Sequence, residues 1–306
     1  EKGELIVNTP EKFARLTGAK VLTEVEATAV KSAEHKVEAR DLKTGEVKEY
    51  GYDKLVIATG ASPFIPPVKG LDLKNVFVMR TPDDAIALRE AVEAGNIKRA
   101  VVAGGGFIGL EVAENLAAKD VKTTVVDFAP HVEGRMADEG IVAMTGTSLE
   151  GVEGDGKVEK VLVKTPKKER GLKADALVLA IGIRPNTGFL EGSGIEMFKG
   201  TILTDEYMRT NVADVYAAGD CAMVRNRQTG KPAWSPMGST ANISARVLAE
   251  NLAGKDVTYP GVLGTGVAKL PGGINAGRTG LTETAARAEG YDVVTASAAV
   301  DDKAHY

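Results

Sequence analysis

The sequence predicts an α/β protein organised around a dinucleotide-binding βαβ unit. Three observations lead there. The stretch RAVVAGGGFIGLEVAENLA, from Arg99 to Ala117, sets G-x-G-x-x-G between a strand-like run and a helix-like run. Other apolar, β-branched runs end on small residues, LVIATG at Gly60 and LVLAIG at Gly182. A length of 306 residues implies about two domains rather than one core.

The chain opens β-rich. AKVLTEVEATAV and EHKVEARDL cluster strand formers, and Lys43-Thr44-Gly45 reads as a hairpin turn. Leu55–Ala58 is a buried strand that runs directly into Thr59-Gly60, and Pro63, Pro66 and Pro67 speak against regular structure beyond it. TPDDAIALREAVEAGN predicts a helix with Thr81 as N-cap, Pro82 in the first position, and Asp83 and Asp84 in the first turn.

The glycine fingerprint follows. RAVVA suits a buried parallel strand. From Phe107, apolar residues recur at Ile108, Val112 and Leu116 and at Leu110, Ala113 and Ala117, which is helical spacing. The helix should end near Lys119-Asp120, where Asp tolerates a left-handed turn. VKTTVVDF is the next strand, and Asp127 stands 23 positions after Gly104, where a ribose-binding acid belongs. Gly104 permits the tight turn, Gly106 lets backbone approach a pyrophosphate, and Gly109 lets helix and strand pack closely. The helix N-terminus offers free N–H groups to phosphates. Candidate nucleotide contacts are therefore Gly104, Gly105, Gly106, Phe107, Ile108, Gly109 and Asp127. A carboxylate at Asp127, with no Arg or Lys in FAPHVEG, favours NAD(H) over NADP(H). The alternative is a glycine-rich turn with no ligand.

Beyond the fingerprint, VEGDGKVEKVLV is a hairpin turning at Asp155-Gly156. KTPKKER, Lys164–Arg170, is the densest basic cluster and reads as a solvated hairpin or loop. KADALVLAIGIRPN is a strand ending at Gly182, with Pro185 stopping regular pairing. TNVADVYAAGDCA ends a short strand at Gly219-Asp220. A helix should start near Ser239 and finish near Gly254. From about Pro260, a helix in TETAARAEG and a strand in YDVVTASAAV look like the start of a third unit.

Bulk composition narrows the classes. The chain is 43% apolar and 26% charged with net charge −4, against nucleic acid as a main partner. No apolar run reaches the ~18–20 residues of a membrane helix, and EKGELIVNTP has no signal-peptide pattern. A cytoplasmic address is the default. The single cysteine, Cys221, makes no disulfide within the chain, and the three histidines have no metal-ligand spacing.

A-T-G at Ala58–Gly60, G-x-G-x-x-G with Glu111, I-G-x-R-P-N at Ile181–Asn186 and A-G-D-C at Ala218–Cys221 occur in that order. Together they resemble the FAD-dependent pyridine nucleotide-disulfide oxidoreductases. WSPMGSTAN at Trp234–Asn242 and the ending DKAHY resemble the coenzyme A-disulfide reductase and NADH oxidase group. The resemblance implies two Rossmann-like domains: an FAD domain over 1–66 and 187–258, split around an NAD domain over 67–186. A C-terminal α+β dimerisation domain would begin at 259–306. It implies that Ala58, Thr59, Gly60, Gly219 and Asp220 border FAD, with Asp220 on the ribityl chain. Ser239, Thr240 and Ala241 would open a helix aimed at the flavin ring, where a helix dipole stabilises negative charge. Glu111, Ile181 and Gly182 would lie beside the nicotinamide. The implied reaction passes hydride from NAD(P)H to FAD and on to a disulfide or related small-molecule acceptor, in a homodimer.

The sequence departs from that pattern in three places. The family's own N-terminal FAD fingerprint and its redox-active cysteine are not among these residues, and Cys221 reads as a small buried apolar residue instead. Only 13 residues, Phe128 to Gly140, separate the strand ending at Asp127 from IVAMT, leaving RMADE for a crossover helix. The dimerisation domain breaks off at Tyr306. The expectation is that these residues are parts of a longer protein. Two other readings stand beside the reductase: an NADH oxidase or reductase of another acceptor on the same fold, and a non-catalytic NAD-binding or redox-sensing module.

Overall fold

The computed structural model describes residues 6–129, 140–270 and 274–299. Helix α1 (Pro10–Thr17) comes first, with Thr9 as its side-chain cap and Gly18 closing it at φ +72°. The sequence reading missed it; its eight residues bury no side chain. Strands β1 (Val25–Lys31), β2 (Lys36–Asp41) and β3 (Val47–Gly51) form an antiparallel meander. Gly45 takes the left-handed conformation that the Lys43-Thr44-Gly45 turn requires.

The chain then builds β4 (Leu55–Ile57), β5 (Ala61–Pro63), β6 (Val76–Val78) and helix α2 (Pro82–Glu93). Thr81 and Asp84 form a complete capping box at α2. Next come β7 (Arg99–Ala103), α3 (Phe107–Ala117), β8 (Lys122–Val126) and β9 (Val142–Met144). Asp120 adopts the expected left-handed conformation between α3 and β8, φ +59°. The short crossover and its RMADE segment lie outside the described residues.

The hairpins β10 (Ser148–Glu153), β11 (Lys160–Lys164) and β12 (Glu169–Lys173) lead to β13 (Ala176–Leu179). Lys164–Arg170 spans the turn between β11 and β12 together with the adjoining strand ends, and is largely exposed. The main sheet has the order β6-β13-β7-β8-β9, all parallel. Its central strands β7 and β13 are buried on both faces, so they read as nearly unbroken apolar runs. One face packs Val102, Val125 and Val178 under Leu88 of α2 and Leu110 and Leu116 of α3. The other packs Val101, Val126 and Leu177 under Val152, Val161 and Val163 of β10 and β11. Each such valine contributes roughly 1.5–3 kcal/mol by leaving water.

After β14 (Ile183–Pro185), a tight hairpin joins β15 (Met197–Phe198) to β16 (Thr201–Leu203). Lys199 and Gly200, at φ +51° and +77°, make its two-residue turn. Strands β17 (Val215–Ala217), β18 (Ala222–Arg225) and β19 (Pro232–Ala233) and helix α4 (Gly238–Leu252) complete this part. β17 pairs in parallel with β4, and Cys221 lies in the core with Ile57, Ile202 and Val215.

Three expectations need correction. Pro63 and Pro185 do not exclude pairing: β5 and β14 form a two-stranded antiparallel ladder with a proline at one end of each strand. A proline is accommodated there because neither strand is central to a sheet. The segment 291–299 forms no strand. Val294 is 93% exposed, and among the described residues no neighbouring strand supplies hydrogen bonds, without which β-branched composition is insufficient. The strands of this region are instead β20 (Gly266–Leu270) and β21 (Ile274–Arg278), a hairpin the sequence reading did not find, followed by the expected helix α5 (Glu283–Ala288).

Candidate active site

The candidate residues gather at the carboxyl ends of the parallel strands. The chain leaves β7 for β8 and β9 on one side and returns to β13 on the other, so the sheet changes direction between β7 and β13. Ligands of open α/β sheets bind at such a point. Gly104 ends β7 there, and Ile181-Gly182 follows β13. The two turns touch: a Cβ on Gly104 would stand 2.2 Å from the Ala180 carbonyl oxygen, and Gly104 sits at φ +108°. A Cβ on Gly109 would come within 1.9 Å of the Gly104 carbonyl oxygen, so helix and turn pack as the fingerprint requires. Gly106 differs. Its backbone is ordinary extended chain, φ −77°, and nothing lies within 4 Å of its missing Cβ. That open space suits a phosphate against the backbone.

Asp127 closes this corner. One carboxylate oxygen accepts the Gly105 N–H at 2.5 Å and the other accepts the Ala129 N–H at 2.6 Å. The acid thus holds the glycine loop from the end of β8. Phe107 and Ile108 are partly exposed at the start of α3. Glu111, one turn further, lines an apolar groove between α2 and α3 with Leu88, Val92, Ile108 and Val112.

The flavin-side candidates gather separately. The Ala218 N–H donates to the Ile57 carbonyl at 3.1 Å, drawing A-G-D beside A-T-G. Gly60 and Gly219 both have positive φ. A Cβ on Gly219 would meet Ala241 Cβ at 3.9 Å, so the turn abuts the first turn of α4. Thr240 is buried there, its hydroxyl 2.9 Å from that of Ser235; Ser239 precedes it. The indole N–H of Trp234 donates to the Asp220 carbonyl at 2.9 Å.

Helix termini separate the ligand candidates from the rest. α1, α2 and α5 are each capped by a threonine side chain, Thr9, Thr81 and Thr282. α3 and α4 have no side-chain cap, and both follow the proposed nucleotide motifs. Uncapped first-turn N–H groups at the end of a helix dipole are what an anionic group requires. The residues present therefore fit the diphosphate of NAD(P)H at α3 and the flavin end of FAD at α4.

Sequence reasoning missed Arg80. Its Nε–H donates to the Ala61 carbonyl at 2.9 Å and its Nη2 lies 3.6 Å from the Asp220 carboxylate. Nη2 also lies 3.5 Å from where a Gly60 Cβ would stand. A cation thus stands between both flavin-side motifs. Asp84 accepts the Arg80 backbone N–H at 3.0 Å, so the capping box of α2 also positions this arginine. Cys221 is fully buried, with Sγ 3.5 and 3.6 Å from the Ala218 and Ile57 carbonyl oxygens. Among the described residues no cluster of His, Cys, Asp or Glu could hold a metal, and no helix is long and apolar enough to cross a membrane.

Residues 3–240 match the family model described as pyridine nucleotide-disulphide oxidoreductase. The chain belongs to this family. Its members are FAD-dependent NAD(P)H oxidoreductases, and that is the enzyme class of this chain. The chain is 36% identical over 97% of its length to the "NAD(P)H sulfur oxidoreductase (CoA-dependent)" of Pyrococcus abyssi, spanning 68% of that protein. It is 35% identical over 99% of its length to a "NADH oxidase" of Methanocaldococcus jannaschii, spanning 69% of it. The crystal structure of an FAD-dependent pyridine nucleotide-disulphide oxidoreductase from Desulfovibrio vulgaris superposes with a TM-score of 0.79 at 37% identity, covering 92% of this chain and 76% of that one.

Proposed function

We propose that this chain carries the nucleotide-handling part of a flavin-dependent NADH oxidoreductase whose acceptor is a sulfur-linked small molecule of the coenzyme A-disulfide or persulfide class. The observation that carries the reading is the pairing of two uncapped helix N-termini, α3 and α4, with two separate sets of dinucleotide motifs. On this reading 67–186 is the NAD domain, 1–66 with 187–258 is the part of the FAD domain present here, and 259–306 begins the dimerisation domain of a cytoplasmic homodimer.

FAD, when bound, supplies the two-electron redox chemistry that links NADH to the acceptor. This chain's residues bind and orient. The N–H groups at the start of α3, with Gly106 clear of side chains, take the NADH diphosphate. Asp127 accepts hydrogen bonds from the adenosine ribose, and its charge repels a 2′-phosphate, so NADH is favoured over NADPH. Ile181 and Gly182 offer backbone without bulk to the nicotinamide, with Glu111 beside it. Ala58–Gly60, Gly219 and Asp220 hold the flavin nucleotide. Ser239–Ala241 direct the α4 dipole at the ring.

Oxygen is the second acceptor, supported by the likeness to a NADH oxidase. Steady-state NADH consumption by the full-length protein separates the two. The proposal expects faster turnover with coenzyme A disulfide or persulfide, anaerobically, than with oxygen alone. Turnover only with oxygen favours the oxidase and removes the sulfur acceptor.

A further inference from the structure

Two strands of the chain cross side by side between the flavin-side and nicotinamide-side residues. One is β5, directly after Ala58–Gly60. The other is β14, directly after Gly182. They pair antiparallel, Ala61 with Pro185, Ser62 with Arg184 and Pro63 with Ile183. The ladder is short, so its ends need fixing.

One end is fixed almost wholly by Asn186. Its backbone N–H donates to the Gly60 carbonyl at 2.9 Å. Its backbone carbonyl accepts the Thr59 hydroxyl at 2.7 Å. Its Nδ2 donates to the Thr59 carbonyl at 2.9 Å, and its Oδ1 accepts the Ser62 hydroxyl at 2.8 Å. Every polar group of one residue is therefore spent on the A-T-G turn and on Ser62 of the strand that follows it. At the other end the Phe64 N–H donates to the Gly182 carbonyl at 2.9 Å, and the Arg184 guanidinium stacks 4.1 Å over the Phe64 ring.

The side-chain requirement is narrow. The Thr59 carbonyl needs a donor, while the Ser62 hydroxyl finds an acceptor in the same planar group. A carboxylate would set negative charge against the Thr59 carbonyl, and glutamine would overshoot by a methylene.

We propose that Asn186 is a positioning residue for hydride transfer, clasping the two crossing strands so that Gly182 is held at a set distance from the A-T-G turn. The proposal rests on the assignment of those two turns to the nicotinamide and flavin sides. Hydride transfer requires reacting atoms about 3–3.5 Å apart, and a misplacement of about 1 Å costs on the order of a hundredfold. Asn186 and Gly182 flank β14 at its two ends, so loosening Asn186 loosens the ladder that ties the nicotinamide side to the flavin side without removing a contact to either nucleotide.

The test uses the full-length flavin-loaded enzyme with Asn186→Ala, Asn186→Asp and Ser62→Ala. Ser62→Ala removes a single hydrogen bond and serves if the Asn186 variants fail to fold. Hydrogen exchange over residues 59–64 and 183–186 reads the clasp itself. Anaerobic rapid mixing with NADH reads the limiting rate of flavin reduction, and titration reads NAD+ affinity. The expected result for Asn186→Ala is faster exchange in both segments and a limiting rate lower by about ten- to a hundredfold. Flavin content and NAD+ affinity stay within about twofold. Asn186→Asp shows the same defect, and Ser62→Ala a smaller one in the same direction. Faster exchange with an unchanged limiting rate overturns the proposal, as does loss of flavin or of NAD+ binding, which would make Asn186 a binding residue. A wild-type enzyme whose flavin NADH never reduces would instead defeat the assignment of the two turns.

Discussion

The Asp127 carboxylate and the Gly105 backbone N–H are joined by a 2.5 Å hydrogen bond. The acid at the end of β8 thus shapes the glycine loop at the end of β7, and on the proposed function it also accepts from the ribose. Removing it should cost both functions. Asp127→Ala should weaken NADH binding about ten- to a hundredfold, the range for a hydrogen bond to a charged group, and should narrow the preference over NADPH. Fluorescence titration with both nucleotides checks this; equal losses for both would contradict the charge argument.

Gly104 and Gly106 should respond oppositely to the same methyl group. Gly104→Ala places Cβ 2.2 Å from a backbone carbonyl at positive φ, so the turn must shift. Strain of this kind costs about 1–3 kcal/mol, and the melting temperature should fall with NADH affinity. Gly106→Ala meets no atom and keeps an ordinary φ. It should preserve the melting temperature and still weaken NADH binding, because the methyl group occupies phosphate space. Calorimetry with parallel titration distinguishes the two.

Arg80 should matter to the flavin rather than to NADH. It joins the Ala61 carbonyl to the neighbourhood of the Asp220 carboxylate. Arg80→Ala should lower the flavin retained through gel filtration. Arg80→Lys should rescue it poorly, since an ammonium cannot reproduce a planar fork of donors. NADH affinity should change little in either variant.

Asp175 sets an acid limit on stability. Burial pushes its carboxyl up, but the Lys98 and Arg99 backbone N–H groups and the Arg99 guanidinium outweigh burial and hold it below the ordinary 3.8. The stabilisation is therefore present above pH 3.8 and is lost as pH falls through the lower folded value. Asp175→Asn should be less stable than wild type at neutral pH by a constant margin, and the two should converge below pH 3.8. Urea titrations across pH check the sign.

Much of the fold around the candidate site was legible in the sequence because its signals are local and agree with one another. The run Arg99–Ala117 carries strand, turn and helix in one stretch, and Thr81-Pro82 with Asp84 declares the start of α2 without tertiary help. Arg80 was invisible for the opposite reason: it has no neighbouring motif, and only folding brings it to Asp220. Asn186 was quoted inside a motif, yet its four bonds reach residues far away in sequence. The missed helix α1 had its own cap and stop in Thr9 and Gly18, but its eight residues make barely two turns and bury no side chain, too short a window for a periodic reading. The strand expected over 291–299 fails because propensity was read without a partner strand.

The central claim is that the β7–β13 corner binds NADH, that the separate A-T-G and A-G-D turns beside α4 bind flavin, and that NADH reduces that flavin. An anaerobic visible spectrum of the purified full-length protein, before and after NADH, tests it most directly. The account predicts a flavin band that bleaches on adding about one equivalent of NADH, as two-electron transfer between adjoining cofactors requires. A protein that binds NADH while its flavin band persists, or that carries no flavin at all, would contradict it.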